Sequence, residues 1–407
     1  MNELSKIPPE LSDLYAKIYE EMSKTDTFGI AAKALRFLVC SQKPIDTGSF
    51  LTAVCPPPLK AIDSEALLDY CSYLIIEDKA ACIFRFAHLS VREYLETRND
   101  YTSIDTHTVA AELCLTCITK SRVGARGSMT AQKAETPPDA MLEYARMFWP
   151  VHCKLSGEKN RVVPPLQPPI SSFIMQRRVS AKFSMWMEDA RRLTKSLSME
   201  DPLRQKLCHC FCSPPNPFFL ACVFGLEEVV EHSTVPTPDR CEPGHGGLHL
   251  ASMYGHDQVV RILLGKGTDV NSGDTYGRTP LFYATKHAHA NVVRVLLDYD
   301  KGIEITPEIL IEAAISSREK KEDKTILELL LDRAGQAYIS EEIVEIAVSK
   351  YFFCFIISFS DSSHECGSLI VIHLWLLREQ TLSCNKCSTP DLMIRLLTSF
   401  KRHLQRT

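Results

Sequence analysis

One spacing governs this sequence: Leu248, Ala251, Val259-Val260 and Leu263-Leu264 recur as Leu281, Ala284, Val292-Val293 and Leu296-Leu297, each 33 residues further on. A single copy of such a unit cannot bury its own apolar face, and about three must stack before the array is stable. Within each copy the apolar positions step by three and four, which predicts helices. Thr279 is placed to cap one of them and Pro280 to take its first position, where a missing N–H costs nothing. Gly255 is placed to end another in a left-handed conformation. Two positions break the pattern. Ala288 stands where the matching glycine would be, and Gly246-Gly247 where Thr-Pro would be, which predicts a weaker cap in that copy.

The run Gly267-x-Asp269-Val270-Asn271-x-x-Asp274-x-x-Gly277-x-Thr279-Pro280-Leu281 resembles the ankyrin consensus, and 33 residues is the ankyrin period. An earlier, degenerate copy lies at Pro217 to Glu231, with Ala221, Gly225 and Val229-Val230 placed 30 residues ahead of Ala251, Gly255 and Val259-Val260. Downstream, Ile305-Thr306-x-Glu308 to Ala313 returns as Ile339-Ser340-x-Glu342 to Ala347, with Leu329-Leu330-Leu331-Asp332-Arg333 between them. These segments are similar to repeats found in fungal NACHT proteins. Residues 216–349 are therefore expected to form an ankyrin-repeat α-solenoid. The resemblance implies that the array binds a protein, with Met253, Tyr254, Thr275, Tyr276, Arg278, Lys286 and His287 as candidate contacts.

Before the repeats, Leu11 to Glu21, Ile30 to Cys40 and Ser64 to Tyr73 show helical stripes, Asp63 being a candidate cap for the third. Leu74–Ile76 and Cys82–Phe86 predict two short strands, turned at Glu77-Asp78-Lys79. Ser90 and Glu93 have the spacing of a capping box opening Val91 to Thr97. Phe86-x-His88-x-Ser90-Val91-x-Glu93-Tyr94-Leu95 resembles the signature of the winged-helix region that follows the NTPase in fungal NACHT proteins. Residues 1–100 are accordingly expected to form a winged-helix domain with a small β-hairpin. Many winged helices bind DNA, but 11 Lys and Arg against 15 Asp and Glu in this segment leave no cationic excess to neutralise phosphates. Protein packing is the expectation, and DNA-binding regulation the alternative. His88, with no second ligand or nucleophile near it in sequence, is expected to be structural.

Residues 101–215 are expected to be a helical connector with Pro-rich linkers. His107 to Thr119 and Met141 to Cys153 are its helices, the stretches 122–140 and 154–169 its loops, and Phe173 and Trp186 its packing residues. Leu142-x-Tyr144-Ala145-x-x-x-Trp149-x-x-His152 is similar to the segment between winged helix and repeats in the same fungal family. Residues 350–407 read as a divergent tail or interrupted repeat. Its greasiest stretches, 351–359 and 369–377, fall short of the roughly 20 residues of a membrane helix.

The 16 cysteines sit largely within apolar stripes, where a thiol serves as a small hydrophobe, and Met1 to Asp13 has no apolar signal-peptide core. A cytoplasmic, reducing setting is expected, with no membrane partner. Cys208-His209-Cys210-x-Cys212 and Cys384-x-x-Cys387 match no common zinc spacing. No G-x-x-x-x-G-K-[ST], G-x-S-x-G or H-E-x-x-H occurs. The sequence thus reads as a mainly α, non-enzymatic interaction fragment of a fungal NLR-like signalling protein, lacking the NTPase such proteins carry; the alternatives are a DNA-binding regulator acting through the winged helix, or a truncated part of a NACHT NTPase switch. Its expected partner is a protein; no cofactor, metal, nucleic acid or small-molecule substrate is expected.

Overall fold

The computed structural model describes residues 8–26, 29–55, 62–120, 140–157, 161–175, 179–233, 240–241, 244–299 and 302–316, together with 326, 327, 329, 330 and 333. The chain divides into two compact units, Met1–Val235 with Cys241–Pro243, and Pro236–Arg240 with Gly244–Thr407. The second copy of the 305–313 motif at 339–347, the whole of 350–407 and Cys384 and Cys387 lie outside the described residues.

The first unit opens with α1 (Pro9–Thr25), whose first-turn proline needs no N–H partner and whose Tyr15, Tyr19 and Met22 are buried. Left-handed Gly29 then leads into α2 (Ile30–Cys40). A helix that the stripes did not predict follows, α3 (Thr47–Val54), held at its start by Asp46, whose side chain accepts from Ser49 N at 2.9 Å. In α4 (Ser64–Tyr70) Asp63 is the cap, accepting from Ala66 N at 2.8 Å. The helix stops short of Tyr73 because Ser72 and Tyr73 adopt φ of 48° and 57°, which turns the chain into the hairpin.

Strands β1 (Ile75–Asp78) and β2 (Ile83–Phe86) pair antiparallel, from Ile75 opposite Phe86 to Asp78 opposite Ile83. Glu77 and Asp78, expected in the turn, are strand residues, and Asp78 accepts from Ala81 N to close the connection. The next helix, α5 (Leu89–Glu96), is capped by His88 rather than by Ser90. The His88 ring accepts from Ser90 N, while Ser90 Oγ is buried between His88 Nδ1 at 2.7 Å and Tyr15 Oη at 2.8 Å. The expected Ser90–Glu93 capping box gives way to this tie between α1 and α5.

The rest of the unit is built on α6 (Ser103–Lys120) and α7 (Ala140–Leu155). They run antiparallel, since His107 near the start of one meets His152 in the last turn of the other. Then come α8 (Gln167–Phe173), α9 (Ala181–Leu193) and α10 (Pro202–Cys210). Helix α8 begins within the Pro-rich stretch expected to be a loop, because Pro168 and Pro169 occupy its first turn, where proline is tolerated. Trp149, Phe173, Phe183 and Trp186 form a cluster with centroids 5.3–6.4 Å apart, edge-to-face except for the tilted Phe183–Trp186 pair, as the packing expectation for Phe173 and Trp186 required.

The degenerate repeat, α11 (Pro217–Phe224) and α12 (Glu227–His232), belongs to this first unit. Arg161, 1% exposed, explains why: Nε donates to Glu228 Oε1 at 2.7 Å, Nη2 reaches Glu227, and Nη1 donates to Cys153 O at 3.0 Å. Lys154 Nζ adds bonds to Gly225 O and Glu227. A buried ion pair thus fastens α12 to the end of α7.

The second unit contains α13 (Gly247–Met253), α14 (Asp257–Gly265), α15 (Pro280–Lys286), α16 (Ala290–Tyr299) and α17 (Pro307–Ser316). The short inner helices stack side by side, α15 between α13 and α17, while α14 packs on α16. Every residue of the 33-residue recurrence is buried, Ala251 and Ala284 completely. Both inner helices also close alike, His256 N donating to Ala251 O and His289 N to Ala284 O. Leu310 and Ala313 extend the buried row into α17, and Leu330 is fully buried beyond it. Among the described residues no helix is long and apolar enough to cross a membrane.

Candidate functional site: the repeat fingers and inner helices

The loop between α14 and α15 is a finger whose shape depends on Asp274. Gly277, at φ 75°, and the pairing of Asp274 N with Arg278 O close its tip. The Asp274 carboxylate is wholly enclosed: Oδ1 accepts from Tyr276 N at 2.7 Å and Arg278 N at 2.9 Å, and Oδ2 from Tyr283 Oη at 2.6 Å and the Arg278 guanidinium at 3.0 and 3.1 Å. Burial alone would raise its pKa, but the bonds from Tyr283, Arg278 and Tyr276 outweigh it and hold the group at about 2.

Behind the finger the polar chain continues. His245 Nε2 donates to Tyr283 Oη at 2.9 Å, leaving the phenol hydrogen for Asp274. His249 Nε2 donates to Arg278 O at 3.1 Å, and its Nδ1 accepts from Gly246 N at 3.3 Å. His249 thereby satisfies a helix-start donor in the copy that lacks a Thr-Pro cap. In the next copy Thr279 Oγ1 accepts from Phe282 N at 3.4 Å, as its spacing predicted. Desolvation by burial, and then the neighbouring His249, push the pKa of His245 down to about 4.

Adjacent fingers are joined. Asn271 Nδ2 donates to Gly302 O at 3.1 Å and Asn271 Oδ1 accepts from Glu304 N at 3.0 Å. On the other side Arg240 bridges Gly244 O and Gly273 O at 2.8 and 2.7 Å.

The seven residues proposed from sequence occupy different settings. Tyr276, at 78% exposure, stands at the finger tip, with the Arg278 guanidinium 4.6 Å from its ring centroid. Thr275 is exposed beside the Gly244 backbone. Lys286 and His287 are exposed at the end of α15, Lys286 Nζ lying 5.7 Å from the Phe282 ring. Tyr254 is half-buried. Met253 is buried, and its carbonyl receives a bond from His289 Nε2 at 2.9 Å, so it supports the surface from beneath. Sequence reasoning missed Phe282, the ring against which both Arg278 and Lys286 rest. The finger and the end of α15 can thus present a pre-set aromatic ring and two cations to a ligand, with little side-chain entropy left to lose.

Among the described residues, the one group that gathers three metal-ligating side chains is Cys40, His107 and His152 in the first unit. No spacing in the sequence marked it. Nine of the twelve described cysteines are buried, as their apolar stripes predicted, Cys210 and Cys212 among them.

Comparison with known proteins places residues 218–309 against the family model Ankyrin repeats, in three copies. The probable E3 ubiquitin-protein ligase XBOS33 of Oryza sativa subsp. japonica is 46% identical over 50 residues, 12% of this chain and 10% of that protein. Ankyrin repeat protein nuc-2 of Neurospora crassa is 41% identical over 51 residues, 12% of this chain and 5% of that protein. The ankyrin repeat, SAM and basic leucine zipper domain-containing protein 1 of Microcebus murinus is 34% identical over 114 residues, 26% and 23% of the two chains. The chain spans less than a quarter of the length of each of these three relatives. With the 33-residue register seated in equivalent buried positions, the conclusion is that this is a mainly α protein carrying ankyrin repeats.

Proposed function

We propose that the chain is a non-catalytic recognition protein, whose ankyrin array grips a polypeptide partner through the finger and inner-helix surface around Tyr276, Arg278 and Lys286. The N-terminal segment, with its signature similar to the fungal NACHT winged-helix region, serves as the packing partner of a signalling switch in the cytoplasm. The observation that carries the reading is the exposed Tyr276 ring held against Arg278, which is itself anchored on the enclosed Asp274. Tyrosine and arginine in such settings dominate binding energy at protein interfaces. The fungal ankyrin relative and the motif order along residues 86–152 support the cellular assignment. The acidic balance of residues 1–100 favours a protein over a nucleic acid as the partner.

The test uses the full chain with a photo-cross-linking amino acid at position 276, in an extract of the source cells. A defined polypeptide adduct is expected, and Arg278→Ala is expected to reduce it about tenfold or more. Adducts that are diffuse, or unchanged by Arg278→Ala, would remove the finger from the binding role.

A further inference from the structure

We propose that Cys40, His107 and His152 form a zinc site that clamps three helices of the first unit. The three come from separate elements: Cys40 ends α2, His107 lies near the start of α6, and His152 in the last turn of α7. Their ligand atoms lie within 4.8 Å of one another, and all three residues are buried, His152 completely. His107 Nδ1 and His152 Nδ1 face each other at 2.7 Å.

The separations are close to those that a tetrahedral ion would impose. Zinc bonds of about 2.0–2.1 Å to nitrogen and about 2.3 Å to sulfur set tetrahedral N–N and S–N separations of roughly 3.3 and 3.5 Å. The imidazoles need part by only about 0.6 Å and the thiol close by about 1.3 Å at most, movements within the reach of small side-chain rotations. The Cys40 thiol is shared between Thr106 O at 3.4 Å and Phe37 O at 3.7 Å, the weak S–H hydrogen bonds that ligation would replace. The remote nitrogen of His152 is already held: Nε2 lies 2.8 Å from Tyr144 Oη, which accepts from Gln42 N at 3.0 Å. With Nε2–H donated to Tyr144, the Nδ1 lone pair of His152 points at the shared space, and Tyr144 becomes the outer partner that metal-binding histidines characteristically have.

Ligation by Cys40 requires the ion to displace its thiol proton. In balance, one zinc ion replaces the thiol hydrogen of Cys40, His107 moves its hydrogen from Nδ1 to Nε2, and one proton leaves for solvent.

The full chain, purified under reducing conditions without affinity metal, tests this. Metal analysis is expected to return one zinc per chain, and X-ray absorption at the zinc edge one sulfur and two imidazole nitrogens. Cobalt substitution is expected to give a near-ultraviolet thiolate band that Cys40→Ser abolishes and His107→Ala weakens at least tenfold in affinity. A sulfur-only shell, a cobalt spectrum unchanged by Cys40→Ser, or folded wild-type chain that takes up no zinc at equimolar ion would overturn the site and leave a hydrogen-bonded histidine pair. The absorption spectrum of the wild-type chain decides even where a variant fails to fold.

Discussion

At the scale of single residues, the ends of the inner helices set up a direct comparison. Gly255 and Ala288 occupy the same place one repeat apart, at φ 75° and 58°. A left-handed residue with a Cβ costs about 1–2 kcal/mol, of which the lower unfolded-state entropy of alanine returns about 0.4–1 kcal/mol. Ala288→Gly is therefore expected to stabilise the repeats by up to about 1 kcal/mol, read from urea denaturation. Gly255→Ala is expected to destabilise, because the new methyl would also stand 2.6 Å from the His289 ring nitrogen. Equal effects of the two exchanges would contradict the left-handed assignment. The missing glycine was visible in the sequence because a period supplies its own reference. The capping role of His88 was not, since a histidine cap has no spacing signature and Ser90 offered a familiar one.

At the scale of elements, the repeat register makes a stability claim. Leu296 is fully buried in α16, and Leu296→Ala should cost about 2–5 kcal/mol by opening a cavity, whereas a loss under about 0.5 kcal/mol would refute the register. The polar chain behind the finger makes a pH claim. The groups facing His245 are His249, Tyr283, Asp274, Arg278 and Arg240. Its folded pKa of about 4 lies below the ordinary 6.5, so between those values the unfolded chain binds a proton that the folded one refuses. Stability is then complete above pH 6.5 and falls toward pH 4, by about 1 kcal/mol for each step of one in pH. His245→Gln should flatten that part of the profile in urea melts at pH 7, 6 and 5; an unaltered slope would exclude His245 as its source. Asp274, held at about 2, acts separately: its contribution stands above about pH 4 and is lost as pH falls toward 2. Helices with long stripes were legible beforehand, but α3 was not, since Gly48 and Thr47 dilute a stretch of only eight residues. The His107–His152 contact joins positions 45 apart through a helical hairpin, which no local pattern encodes.

At the scale of the whole molecule, the division of the chain rests on a buried charge. Arg161→Met would leave Glu228 enclosed without its cation, and removal of one member of such a pair costs about 3–5 kcal/mol. We expect urea denaturation to show that loss, and the double exchange Arg161→Met with Glu228→Met to recover most of it; a single exchange costing under about 1 kcal/mol would mean that α12 is not fastened this way. The sequence placed the repeats from 216 because α11 and α12 carry the repeat pattern. It hid the attachment, since Arg161 sits in a proline-rich stretch and Glu227-Glu228 resemble an ordinary acidic first turn.

Asn271 carries a consequence for how the array responds to load. One side chain grips the backbone on both faces of the following turn, taking Glu304 N and giving to Gly302 O. Tilting one tip must then drag its neighbour or break two bonds at once, so a ligand seated on Tyr276 would feel a stiffened rail in place of a row of independent hooks.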